Sequence, residues 1–209
     1  GSFESEAAQE TADTPPAEAE PAEAAEAPEA EAEAEVQAAE TAQEDEAPVT
    51  AAEEDDPILA FELRDYDVPP TGWLRQGAFH APTPVAVPGA TVITTAELAE
   101  AIESNEVAFV LIDVLGGEYM LPNALSATGL ASPGSYADRT QQQAMIWLAQ
   151  VTGGNPGVPV VLYCSDPMCW MSYNAALRAV AAGYTNVYWY RGGLQAWQMA
   201  GLPVFPSGF

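Results

Sequence analysis

Apolar residues gather in a continuous run at 107–114 and in two further strand-like stretches, 158–163 and 186–190, with helix-spaced stretches between them. An unbroken run, unlike an alternating one, predicts a strand buried on both faces, as in a parallel sheet. Helices are predicted over 96–104, 139–151, 170–182 and 194–200. Thr94 or Thr95 stands ready to cap the first, and Glu97 and Glu100 lie where the helix dipole favours acids. Gly183 closes the third as a C-cap. Residues 115–138 are rich in Gly, Pro and Ser and predict a long loop. Prolines at 69, 70, 82, 84 and 88 mark 65–90 as irregular and extended. Strands alternating with helices predict an α/β fold, an open parallel sheet with helices on both faces. Ligands of such sheets sit beyond the carboxyl ends of the strands.

Charge divides the chain. Its 209 residues carry 31 Asp and Glu against five arginines, for a net charge of −26. Residues 1–57 hold 20 of those acids and no base. They are mostly Ala, Glu and Pro, with too little large apolar surface to offset the entropy of ordering, and are expected to form a disordered acidic tail. A solubilising linker is the plainer role and a docking arm for a basic partner the sharper one. Residues 58–90 then form an extended lead-in, and 91–209 the folded domain. With five cations in all, the chain is not expected to bind nucleic acid. No apolar run reaches transmembrane length. Gly1-Ser2 lies outside the fold reasoning.

The chemistry is expected at Cys164, which ends the run 158–163 and precedes the helix beginning near Trp170. A cysteine in a strand-to-helix loop faces free backbone N–H groups and a positive helix end, both of which favour thiolate. A buried structural cysteine is the plainer alternative. Cys169 lies five positions on, and these are the chain's two cysteines. In an oxidising compartment they can form a disulfide, or Cys169 can resolve a persulfide or sulfenate on Cys164, or it can simply pack inward. Asp166 is expected to shape the loop by accepting hydrogen bonds, while its charge opposes a thiolate. Met168 and Met171 could join the cysteines as soft ligands for Cu(I), a weaker alternative to filling core gaps. His80, the only histidine, reads as a loop residue. Trp170 reads as a helix anchor, and Arg178 as a surface-paired residue. Arg191 is the candidate contact for an anion at the sheet edge.

Cys164 after an apolar strand, then Gly183-Tyr184-Thr185-Asn186-Val187-Tyr188, Gly192-Gly193-Leu194-Gln195-Ala196-Trp197 and Ala200-Gly201-Leu202-Pro203-Val204, resembles the carboxyl-terminal half of a rhodanese-like domain. Leu111-Ile112-Asp113-Val114 resembles that family's second-strand motif. The resemblance covers about 95–205 and implies the rhodanese fold, with Cys164 as the residue that carries a persulfide sulfur. The stretch from Cys164 through Ser165, Asp166, Pro167, Met168, Cys169, Trp170, Met171 and Ser172 to Ala176 is similar to a narrower group. These are the CXXCW-motif proteins associated with pyrroloquinoline quinone (PQQ)-dependent catabolism. The lead-in Phe79-His80-Ala81-Pro82-Thr83-Pro84 fits that group too.

That second resemblance implies an exported, periplasmic accessory protein of alcohol oxidation, tied to PQQ by pathway and requiring no cofactor of its own. Its expected partners are a small sulfur donor or a thiol, and a PQQ-dependent dehydrogenase or its cytochrome. An inactive binding module on the same fold is the alternative. The chain departs from the family at Leu115, where an Arg is usual, and its cysteines are separated by four residues rather than two. The loop carries no Arg or Lys for an anionic donor such as thiosulfate. A phosphatase on this fold would need Arg at the sixth position after Cys164, where Trp170 stands, and no phosphate-loop motif occurs.

Overall fold

The structure, a computed structural model, describes residues 56–208. The expected acidic tail lies outside the described residues up to position 55. The lead-in, expected to be extended over 58–90, opens on a helix, α1 (Pro57–Glu62), ahead of its proline-marked stretch. Pro57 supplies the preset φ of a first helical turn, and the Asp56 carboxylate accepts from the Ile58 and Leu59 N–H groups.

The domain proper runs β1 (Thr91–Val92), α2 (Thr95–Ser104), β2 (Val110–Asp113), β3 (Tyr119–Met120), β4 (Leu125–Ser126), a 3-10 turn (Thr128–Ala131) and α3 (Arg139–Val151). It continues with β5 (Val160–Tyr163), α4 (Trp170–Ala181), β6 (Val187–Tyr190), α5 (Gly193–Met199) and β7 (Phe205–Pro206). Five strands form a parallel sheet in the order β1-β6-β5-β2-β4, and β3 pairs antiparallel with β7. The α/β expectation therefore holds. Thr94 caps α2 in a full capping box with Glu97. The stretch 115–138 is not a plain loop, since it contains β3, β4 and the 3-10 turn.

The apolar runs divide by the two-residue period of a strand. Ile112, Val114, Val160, Leu162, Val187 and Trp189 face a core built with Ala144 and Leu148 of α3 and with Tyr173, Ala176 and Leu177 of α4. Leu111, Val161, Tyr163 and Tyr190 face Leu98 of α2 and Ala196 and Trp197 of α5. Cys164 continues the series Val160, Leu162 and so points into the α3/α4 layer.

Arg178 corrects the expectation of surface pairing. It is buried, and its guanidinium donates to the Ser132, Pro133 and Ser135 carbonyls, to Gln141 and to the Asp138 carboxylate at 3.2 Å. A fixed cation thus replaces regular backbone pairing for the turn leading into α3.

Candidate functional site

The loop between β5 and α4 is shaped by Asp166, as its sequence position predicts. Its carboxylate accepts the Met168 N–H at 2.7 Å and its carbonyl accepts the Cys169 N–H at 3.0 Å. These two bonds fold residues 166–169 into a turn and set Cys169 as the N-cap of α4. The turn brings the Cys164 and Cys169 Cα atoms to 6.4 Å, and the two sulfurs are bonded. Of the alternatives open for the pair, the structure shows the disulfide.

Ser172, in the first turn of α4, lies against this bond. Its Oγ is 2.9 Å from Cys164 Sγ and accepts the Trp189 Nε1–H at 2.8 Å. All of these groups are buried. The opposite side of the loop is gripped by the start of α5, where the Leu194 and Gln195 N–H groups donate to the Cys164 and Ser165 carbonyls, each at 2.9 Å. This grip requires glycine at 193. Its φ is +61°, and a Cβ there would sit 2.5 Å from the Cys164 carbonyl oxygen and 2.7 Å from the Ser165 carbonyl carbon.

A cover over the loop is the main feature that sequence pattern did not reveal. Residues 79–83 run antiparallel to 167–170. The Ala81 N–H donates to Met168 O, the Thr83 N–H to Pro167 O, and the Trp170 N–H to Phe79 O, while His80 bridges Cys169. Thr83 Oγ1 also donates to Pro167 O at 2.6 Å, and Trp170 Nε1 donates to Pro82 O at 3.0 Å. Further back, Asn174 pairs with both backbone groups of Arg75, and the Tyr173 hydroxyl with both of Thr71. Beneath this cover Cys164 is 1% exposed and Cys169 5%.

Arg191 does not lie open to an anion. It is 1% exposed, and it donates to Thr83 Oγ1, Thr83 O and Glu62 O at 2.7–3.0 Å. Its guanidinium also lies over the Tyr66 ring. Burial lowers its pKa, with Tyr66 and Asp65 opposing the shift. Arg191 fastens α1 and the lead-in to the sheet end. Glu62 completes the clasp. Its buried carboxylate accepts the Thr95 N–H and hydroxyl, and burial raises its pKa above the ordinary carboxylate range. A second cation, Arg75, lies 4.8 Å over the Trp170 ring.

The remaining predicted residues fall as follows. Ser165 and Asp166 are half-buried and Pro167 is buried beneath Thr83. Trp170 anchors the helix and the cover together. Met171 packs on the core, and Met168 contributes its backbone to the cover. With the two sulfurs joined, a Cu(I) set of Cys164, Cys169, Met168 and Met171 would first need the bond reduced. His80 is exposed. At the neighbouring strand end, Asp113 accepts the Leu115 and Gly116 N–H groups and the Tyr163 hydroxyl, and burial pushes the Tyr163 phenol well up. Sequence reasoning missed Thr83, Trp189 and Arg75. Thr83 lies in the lead-in stretch of the narrower resemblance, Trp189 and Arg75 lie in no quoted motif, and each reaches the loop from elsewhere in the chain.

Comparison with known proteins assigns a family to the part of the chain that holds the two cysteines. The Rhodanese-like domain family matches residues 94–200. No curated protein matches the chain. Among solved structures, it is similar to a thiosulfate sulfurtransferase from Pseudomonas aeruginosa, at 16% identity and TM-score 0.44, over 57% of this chain and 21% of that one. This chain therefore spans about a fifth of that protein's length. It is also similar to a rhodanese-like domain from Anabaena sp., at 18% identity and TM-score 0.39, over 57% and 80% of the two chains. A possible tyrosine phosphatase from Rhodopseudomonas palustris matches at 22% identity and TM-score 0.41, over 56% and 86%.

Proposed function

The chain belongs to the Rhodanese-like domain family, and from that premise we propose that it carries out thiol chemistry at Cys164, with Cys169 as the resolving residue. The observation that carries the reading is the bond between the two sulfurs at the carboxyl end of β5. In the reduced protein, the Cys164 thiolate attacks the sulfane sulfur of a donor, the donor's bond to that sulfur breaks with its electron pair leaving on the rest of the donor, and a Cys164 persulfide forms. The Cys169 thiolate then attacks Cys164 Sγ, the S–S bond of the persulfide breaks, and hydrosulfide leaves as the disulfide forms. A dithiol reductant resets the pair. Without the donor, the same pair exchanges electrons with thiols alone.

The disulfide fits an oxidising compartment. We place the protein in the periplasm, as an accessory of PQQ-dependent alcohol oxidation, on the resemblance of the Cys164–Ala176 stretch. Mass spectrometry of the pair as isolated, after incubation with a sulfane donor and then a dithiol, tests this reading. A persulfide on Cys164 that Cys164→Ser abolishes, or opening of the wild-type disulfide by the dithiol in the folded protein, is expected. A pair inert to every donor and dithiol refutes it.

One observation favours a second reading, a binding module with a structural disulfide: both sulfurs lie beneath the lead-in. Capture of a PQQ dehydrogenase or its cytochrome from periplasm, by a protein whose disulfide resists dithiols until it unfolds, would select it.

A further inference from the structure

Two sulfurs in one bond differ in how well each can leave, and here the protons decide between them. Trp189 Nε1–H can only donate, so the bond at 2.8 Å makes Ser172 Oγ its acceptor. In the disulfide, Cys164 Sγ carries no proton. Ser172 must therefore be the donor across the 2.9 Å contact with Cys164 Sγ. Both contacts are buried, so water does not compete for them. Cys169 has no comparable side-chain donor among the described residues.

From this asymmetry, and resting on the dithiol reading above, we propose that an incoming thiolate attacks Cys169, and that Cys164 is the departing sulfur, received by the Ser172 hydroxyl. The step balances as one exchange. The thiolate forms a bond to Cys169 Sγ, the Sγ–Sγ bond breaks, and its electron pair leaves on Cys164 as thiolate. A better-stabilised leaving thiolate departs faster. One contact opposes this, since Cys164 Sγ lies 3.3 Å from the Cys169 carbonyl oxygen. That carbonyl belongs to the N-cap and already accepts the first helical N–H, which weakens its pull. A charge-assisted hydrogen bond shifts such a choice by roughly tenfold or more.

Position agrees with chemistry. Both cysteines join the α3/α4 core, but Cys169 is the slightly more exposed of the two and the one bridged by His80 of the lead-in. Lifting residues 79–83 uncovers Cys169 first. The same hydroxyl then holds Cys164 as the thiolate that the sulfur-accepting half of the cycle needs. Ser172 is thus a positioning residue for both halves, acting through Cys164.

The test treats the oxidised, folded protein with a limiting monothiol, N-acetylcysteine, traps with iodoacetamide and locates both labels by fragment-ion mass spectrometry. Expected is the N-acetylcysteine adduct on Cys169 and carbamidomethyl on Cys164, by roughly tenfold over the reverse pattern. Ser172→Ala should bring the two patterns to within about twofold, and Trp189→Phe should move them the same way by less. The adduct mainly on Cys164 overturns the proposal while leaving dithiol chemistry intact, as does a wild-type ratio in folded Ser172→Ala. If neither cysteine takes the label in the folded protein, the dithiol reading falls and the proposal with it. Should Ser172→Ala not fold, the wild-type pattern and Trp189→Phe decide.

Discussion

Replacing Thr83 by Val should turn a covered disulfide into an accessible one. Val keeps the shape of Thr83, which is fully buried, and removes only the hydroxyl. That hydroxyl donates to Pro167 O at 2.6 Å and accepts from Arg191 Nε at 3.0 Å. The first loss is a neutral hydrogen bond, worth about 1 kcal/mol, and the second leaves a buried guanidinium donor unpaired, worth about 1–3 kcal/mol. Together the cover loses about 2–4 kcal/mol of hold on the loop. At 1.4 kcal/mol per tenfold, the population with the lead-in lifted rises between roughly 30-fold and several hundredfold.

If the lead-in recloses faster than reductant reacts, the reduction rate follows that population. The assay is the rate of Cys164–Cys169 reduction by dithiothreitol in native buffer, read by alkylation and intact mass. A rise of at least tenfold, with a shallow urea dependence below the unfolding transition, is expected. A rate within twofold of wild type in a folded variant would refute the claim that the lead-in gates the sulfurs.

Three further outcomes follow from the same contacts. Gly193→Ala combines about 1–2 kcal/mol of left-handed strain with about 1–3 kcal/mol of overlap on the loop carbonyls, and should lower Tm by roughly 4–20 °C in a calorimetric scan. Gly183→Ala, with a positive φ but open space, should show the strain alone. Asp138 is held at a pKa of about 2 by the Gln141 and Ser135 N–H groups and by Arg178. The stability it lends is present above its ordinary pKa of 3.8 and is lost as pH falls toward 2. Asp138→Asn should flatten the fall in urea midpoint between pH 5 and 2.5. Arg178→Met should cost about 3–5 kcal/mol and open residues 132–138 to proteolysis, because the Ser132, Pro133 and Ser135 carbonyls lose their donor.

The strands and helices around Cys164 were legible because their signals are local. The apolar run 158–163 contains β5, and the spacing over 139–151 is α3 to the residue. The exposed edge was not legible, because β1 and β4 are two residues long and too short to show a period. The disulfide remained one alternative among several in the sequence, since five residues of separation do not say which way Cys169 turns. Asp166 decides that, by accepting two N–H groups in succession. Prolines at 82 and 84 predict an irregular, extended segment. They carry no record of what it lies on, since its partners at 167–170 are more than eighty residues away. Arg191 misled for a related reason, as an arginine at a sheet end reads alike whether it awaits an anion or fastens a backbone.

The lead-in also changes where the protein can be divided. The stretch shared with other family members starts at residue 94. A chain cut there would keep the cysteines and four of the five sheet strands. It would lose the partners of Trp170 Nε1, the Tyr173 hydroxyl and the Arg191 guanidinium, and the Arg75 partner of Asn174. It would also lose β1, leaving β6 as a bare edge. Heredity and folding therefore draw different borders. The inherited module ends where the resemblance ends, while the contacts that close the interior reach back to Glu62 of α1. Recombination that moved the module alone would transfer the bonded cysteine pair without the segment that covers it.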